Sequence, residues 1–171
     1  MIDGGHTQDT VIAGGADTVL GGSEDDKLST ATPMIGVASM DGGFQTDVLT
    51  GSQVADGLMF GDTGDEVIRG LGGDDLINGG ESNDEIYGGD GNDTINGDVG
   101  SDKLYGESGN DKLMGDGGRD SLFGGLGNDL LLGGSENDFL QGAPPGVQEA
   151  DTCNGGDGGD DFENCSKITG E

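Results

Sequence analysis

Between Gly61 and Gln141 one aliphatic residue recurs at every ninth position, set among turn-forming and polar residues: Ile68, Ile77, Ile86, Ile95, Leu104, Leu113, Leu122, Leu131 and Leu140. Cut at glycine, the segment is nine consecutive blocks: GDTGDEVIR, GLGGDDLIN, GGESNDEIY, GGDGNDTIN, GDVGSDKLY, GESGNDKLM, GDGGRDSLF, GGLGNDLLL and GGSENDFLQ. The first position is always Gly, and the sixth is Asp in every block but the first, which has Glu66. One apolar residue between two variable ones predicts a very short strand with a single inward side chain. Gly at position one, and often at two and four, predicts a tight turn over the first six residues. Each block is therefore one turn and one strand, and two blocks close a coil of eighteen.

In such a stack, acids eighteen apart share an edge. Asp84, Asp102, Asp120 and Asp138 fall on one edge, and Asp75, Asp93, Asp111 and Asp129 on the other. Coils in parallel register lie about 4.8 Å apart, so each edge carries a ladder of like charges that repel unless cations sit between the rungs. Carboxylates and turn carbonyls are hard oxygen donors, which favour Ca²⁺ over softer metals.

The pattern G-G-x-G-x-D-x-U-x resembles the RTX (repeat-in-toxin) nonapeptide repeat, a Ca²⁺-binding parallel β-helix signature. The resemblance implies an all-β fold, a right-handed parallel β-roll with several Ca²⁺ ions in the turns of both edges. It also implies that the sixth-position acids and the carbonyls of the glycine-rich loops are the ligands. Three blocks depart from the pattern: Arg119 stands at position five, and Ser82 and Glu136 at position four. Looser turns are expected there.

The repeat extends irregularly on both sides. GGHTQDTVI and GGSEDDKLS place Asp9 and Asp26 at position six, with a shortened copy holding Asp17 and Val19 between them. GGFQTDVLT supplies Asp47 and GSQVADGLM supplies Asp56, after which Phe60 is one residue too many, predicting a bulge. GGDGGDDFE supplies Asp160. The expected metal ligands are thus Asp9, Asp26, Asp47, Asp56, Glu66, Asp75, Asp84, Asp93, Asp102, Asp111, Asp120, Asp129, Asp138 and Asp160. The chain reads as a single elongated domain over residues 1–171. Irregular repeats occupy 4–29 and 42–60, an inserted loop 30–41, and the nine regular repeats 61–141. A loop broken by Pro144 and Pro145 covers 142–152, and a terminal repeat 153–165.

Composition adds the condition for folding. Lys and Arg number 6 against 35 acids, a net charge of −29, and 40 residues are Gly. Leu, Ile, Val and Phe make about a fifth of the chain, close to the boundary with disorder. Self-repulsion and glycine entropy should then outweigh one buried aliphatic residue per repeat until cations bind. Cys153 and Cys165 flank the last repeat-like unit and read as a disulfide, with no further His or Cys nearby for zinc. That bond points to an oxidising, extracellular setting. Cysteines depart from many RTX proteins, which the resemblance suggests are cysteine-free and leave through a C-terminal signal. The chain enters its repeats at once, after Met1-Ile2-Asp3, and reads as a mature or excised piece of a longer protein.

Several functions find no residues to carry them. His6 is the single histidine and reads as a solvent-facing turn residue, and no H-E-x-x-H, G-x-S-x-G or EF-hand loop occurs. An enzyme is not expected. Phosphate would repel this charge, so nucleic acid is no partner, and no apolar run is long enough to insert in a membrane. Three readings remain: a calcium-folded structural module of a secreted or surface protein, a subunit that stacks head to tail into a filament, and the folding and secretion tail of a larger enzyme or toxin. The first is the expectation. The outward residues at position nine, Tyr87, Tyr105 and Phe123 on one side and Met114 and Leu132 on the other, offer either lateral contacts or a surface ladder that stabilises the roll, and the ladder is the expectation.

Overall fold

The computed structural model describes residues 1–14, 17–30, 36, 39–147 and 149–169. Among these residues there are nineteen short strands and no helix. One sheet has the order β1 (Ile2–Gly5), β3 (Thr18–Ser23), β5 (Ser39–Phe44), β7 (Leu58–Thr63), β9 (Leu76–Glu81), β11 (Thr94–Val99), β13 (Lys112–Gly117), β15 (Leu130–Ser135), β17 (Thr152–Asp157) and β19 (Lys167–Thr169). The other has β2 (Thr10–Ala13), β4 (Lys27–Thr30), β6 (Val48–Thr50), β8 (Val67–Gly72), β10 (Glu85–Asp90), β12 (Lys103–Ser108), β14 (Ser121–Leu126), β16 (Phe139–Gln141) and β18 (Asp161–Glu163). Every pairing is parallel and skips one strand, so the chain winds as a two-sheet solenoid. In the regular array the register is eighteen residues, as in Ile68, Ile86 and Leu104 side by side.

The core is one row of side chains from each sheet. Val19, Met40, Met59, Ile77, Ile95, Leu113, Leu131 and Cys153 face Val11, Leu28, Leu49, Ile68, Ile86, Leu104, Leu122 and Leu140, all buried. These are the eighth-position residues and their equivalents. With so thin a core, every inward side chain matters.

Position one is glycine because the sixth residue of the same block occupies the space of its side chain. A Cβ on Gly88 would meet Asp93 Oδ2 and, at 3.0 Å, the carbonyl of Gly106 in the next coil. Positions two and four take positive φ in the regular blocks, Gly100 excepted. Where they are not glycine the turn keeps that angle: Asp62, Leu71, Asp98, Glu107 and Asp116 at position two lie between 67° and 79°, and Ser82 and Glu136 at position four at 92° and 79°. Each such residue costs roughly 1–2 kcal/mol relative to glycine. The turns at Ser82 and Glu136 therefore keep the shape of their neighbours at an energetic cost.

Two details differ from the sequence reading. Phe60 is not a bulge: it pairs in register with Asp41 and Asn78, and Met59 points inward while Leu58 faces solvent. The extra residue falls at Gly57, before the strand, where a turn absorbs it without breaking the ladder. In the expected loop 30–41, Thr30 ends β4 and Ser39 to Asp41 begin β5; residues 31–35, 37 and 38 lie outside the described residues.

On the outer face of the even-numbered sheet Tyr87 stacks on Tyr105 at 4.8 Å and Tyr105 on Phe123 at 4.9 Å, with planes within 8°. Arg69 covers the free face of Tyr87 at 5.4 Å. The rings turn their faces to one another, as expected of a stabilising surface ladder. His6 is exposed and bonds Ser23 Oγ through Nδ1 at 3.0 Å.

Candidate metal centres along the two edges

Each coil passes through two turns, and the sixth-position acids of those turns stack into two ladders. The first runs through Asp9, Asp26, Asp47, Glu66, Asp84, Asp102, Asp120, Asp138 and Asp160. The second runs through Asp56, Asp75, Asp93, Asp111, Asp129 and Asp151. All fourteen expected residues stand at equivalent places in these turns. Asp151 is an additional rung that the sequence reading left inside the 142–152 loop. Its cue was D-x-U-x-G with cysteine in the aliphatic place, Asp151-Thr152-Cys153-Asn154-Gly155.

The hydrogen bonding is directional and repeats from coil to coil. The N–H of Asp84 donates to Asp102 Oδ1 at 2.8 Å, that of Asp102 to Asp120 Oδ1 at 2.9 Å, and that of Asp120 to Asp138 Oδ1 at 2.9 Å. On the other edge Asp75, Asp93 and Asp111 donate in the same way to Asp93, Asp111 and Asp129. One oxygen of each accepting aspartate is thereby used. The other is buried with no partner: Oδ2 of Asp26, Asp47, Asp75, Asp84, Asp93, Asp102, Asp111, Asp120, Asp129, Asp138 and Asp151, and both oxygens of Glu66.

A buried anionic oxygen without a partner is costly, and here a whole column of them repeats. The carboxyl groups respond accordingly. Asp75, Asp102 and Asp111 are pushed up to about 7, mainly by burial, with neighbouring carboxylates adding to the rise and the N–H bond from the preceding rung opposing it. Asp47, Asp93, Asp120 and Asp129 are pushed up to about 6 for the same leading reason. Glu66 is raised by burial and then by Asp84 beside it. The ladders thus demand positive charge, as protons or as cations.

Backbone oxygens complete the donor set. A Cβ on Gly100 would meet the carbonyl of Ser82 one coil back and Asp102 Oδ1 at 2.9 Å, so position-four carbonyls and sixth-position carboxylates line the same turn. These carbonyls accept none of the turns' backbone hydrogen bonds among the described residues. Nor do any three acidic, imidazole or thiolate side chains there converge on one point. The turns therefore offer stacked carboxylates with backbone carbonyls, an all-oxygen set that fits Ca²⁺.

A second ladder at position five was missed from sequence. Asn92 Nδ2 and N–H both donate to Asp74 Oδ1, Asn110 does so to Asn92 Oδ1, and Asn128 to Asn110 Oδ1, at 2.7–3.2 Å. Ala150 N–H ends the row on Asn128 Oδ1 at 2.9 Å. Asn suits the place because its amide both donates and accepts. The first edge is less regular, with Ser101 and Arg119 at position five and with Ser82 and Glu136 at position four. On the second edge position four is Gly73, Gly91, Gly109 and Gly127.

Cys153 and Cys165 form a disulfide, with Cα atoms 6.0 Å apart. Cys153 fills the aliphatic place of β17 and is fully buried, so the bond ties the inside of one coil to the turn that follows β18.

These features define a parallel β-solenoid with a ladder of buried carboxylates along each edge. The family model for the RTX calcium-binding nonapeptide repeat matches four stretches, residues 2–28, 60–95, 87–122 and 105–140, and the chain belongs to that family. No curated protein matches it as a relative.

Proposed function

We propose that this β-roll is a structural module of a secreted or cell-surface protein that folds when it meets extracellular Ca²⁺. The observation that carries the reading is the column of buried carboxylate oxygens without partners on both edges. Inside a cell, where free calcium is scarce, this array repels itself and the chain stays open. Extracellular modules bind Ca²⁺ at roughly 10⁻⁴–10⁻³ M, so the concentration outside a cell suffices. The disulfide supports the same setting, since such bonds persist in oxidising compartments. The fifteen ladder acids are the proposed ligands, with the position-four carbonyls beside them.

Thermal unfolding in millimolar Ca²⁺ against equal Mg²⁺ tests the reading. Mg²⁺ demands a rigid octahedron and gives up its waters reluctantly. Each site occupied at ten times its Kd adds about 1.4 kcal/mol, and each kcal/mol shifts the midpoint by about 2–4 °C at this size. About seven such sites, roughly 10 kcal/mol together, should place the calcium midpoint at least roughly 20 °C above that in Mg²⁺. Equal midpoints in the two ions would remove calcium from the account.

A further inference from the structure

The second edge does not simply stop at Asp151. That residue is fully buried, its Oδ1 accepts the N–H of Asp129 at 3.0 Å, and its Oδ2 has no partner. The turn that follows, Asn164-Cys165-Ser166, is only three residues long and brings no acid of its own. Instead the N–H groups of Ser166 and Lys167 both close on the carbonyl of Asp151, at 3.1 and 3.0 Å. The Asn164 carbonyl lies beside Asp151 Oδ2: a Cβ on Gly142 would meet them at 2.8 and 2.5 Å.

Two residues before Asp151, at position four, stands Glu149, where the regular repeats of this edge have glycine. Its Oε2 is shielded from solvent and has neither a hydrogen bond nor a salt bridge among the described residues. Its carbonyl accepts the Ser166 hydroxyl. An open cleft of about 650 Å³ lies here, lined by Asn128, Glu149, Ala150, Asn164, Cys165 and Ser166 among others.

Resting on the calcium reading above, we propose that Glu149, Asp151 and the Asn164 carbonyl form a terminal divalent-cation site of a different kind from those in the repeats. In the regular repeats of this edge position four is glycine and gives only its carbonyl. Here it gives a side-chain carboxylate, so the last rung needs no further coil to complete its ligands. The Cys153–Cys165 disulfide fixes the short turn that carries the Asn164 carbonyl, which makes this site depend on the bond.

The test is calorimetric titration of Ca²⁺ into the full oxidised chain and into its Glu149→Gln variant, with far-UV circular dichroism on both. The variant should bind one ion fewer, or bind one ion at least tenfold more weakly, with the remaining sites and the folded spectrum unchanged. A variant isotherm that overlays the wild type overturns the site. So does general loss of binding, since Glu149 would then act on the whole roll. Reducing the disulfide should weaken the same single site, and a reduced chain that keeps it tight overturns the role given to the bond. If the wild-type chain binds no calcium at all, the broader calcium reading fails, which is a separate result.

Discussion

Asp102→Ala is expected to weaken calcium binding in the coils on both sides of it and to destabilise the folded chain by about 3 kcal/mol or more, as expected when a buried polar network is broken. Two losses combine. Asp102 Oδ1 accepts the buried N–H of Asp84 at 2.8 Å, and leaving that donor unsatisfied costs about 1–3 kcal/mol. Its Oδ2 is buried without a partner, so on the calcium reading the cations on either side of this rung lose a carboxylate. Asp102→Asn separates the effects, because the amide oxygen can still accept from Asp84 but the charge is gone. Asn should therefore recover part of the stability and little of the affinity. Ion count by calorimetry and calcium midpoint by circular dichroism are the readouts, and an Asp102→Ala chain with both unchanged contradicts the ladder assignment. Asp90→Asn, at an exposed third position, should change neither.

Acid should substitute in part for calcium, and this is the second large effect. The carboxyl groups of Asp75, Asp102 and Asp111 are pushed up to about 7 in the fold, and those of Asp47, Asp93, Asp120 and Asp129 to about 6, from about 3.9 in an open chain. A raised carboxyl value means the folded state holds more protons than the unfolded one, so the slope of stability with pH is negative. The stabilisation is complete below about pH 4 and is lost as pH rises through 6 and 7. Without calcium the chain should therefore gain β structure near pH 4 and lose it by neutrality. Protons and Ca²⁺ compete for the same oxygens, so the calcium midpoint should rise as pH falls. Circular dichroism against pH in chelator reads the first effect, and a calcium-free chain equally folded, or equally open, at both ends of that range contradicts it.

Much of this architecture was legible because the nine-residue phase ties backbone and chemistry together. The glycine at position one, the acid at six and the aliphatic at eight are one steric unit. Asp93 Oδ2 fills the side-chain space of Gly88, and Ile95 fills the core two residues further on. What was missed lies where the phase slips. Four extra residues between Gly142 and Asp151 hid the last rung, although Gly142 still holds the first position through its bonds to Gly125 and Glu163. At Gly57 the slip was placed on the wrong side of the strand, since Leu58 and Met59 are equally apolar and only packing decides which faces in. The Asn92-Asn110-Asn128 row went unread because a polar turn residue gives no sign in sequence of whether it bonds water or the next coil.

The measurement that tests the central claim most directly is a calcium titration at neutral pH, starting in excess chelator and followed by far-UV circular dichroism. The ladders predict a disordered spectrum in chelator and a cooperative rise of β signal as free Ca²⁺ approaches the millimolar range. A chain already fully β in chelator, with no change on adding calcium, would mean that the aspartate ladders do not require a cation to fold.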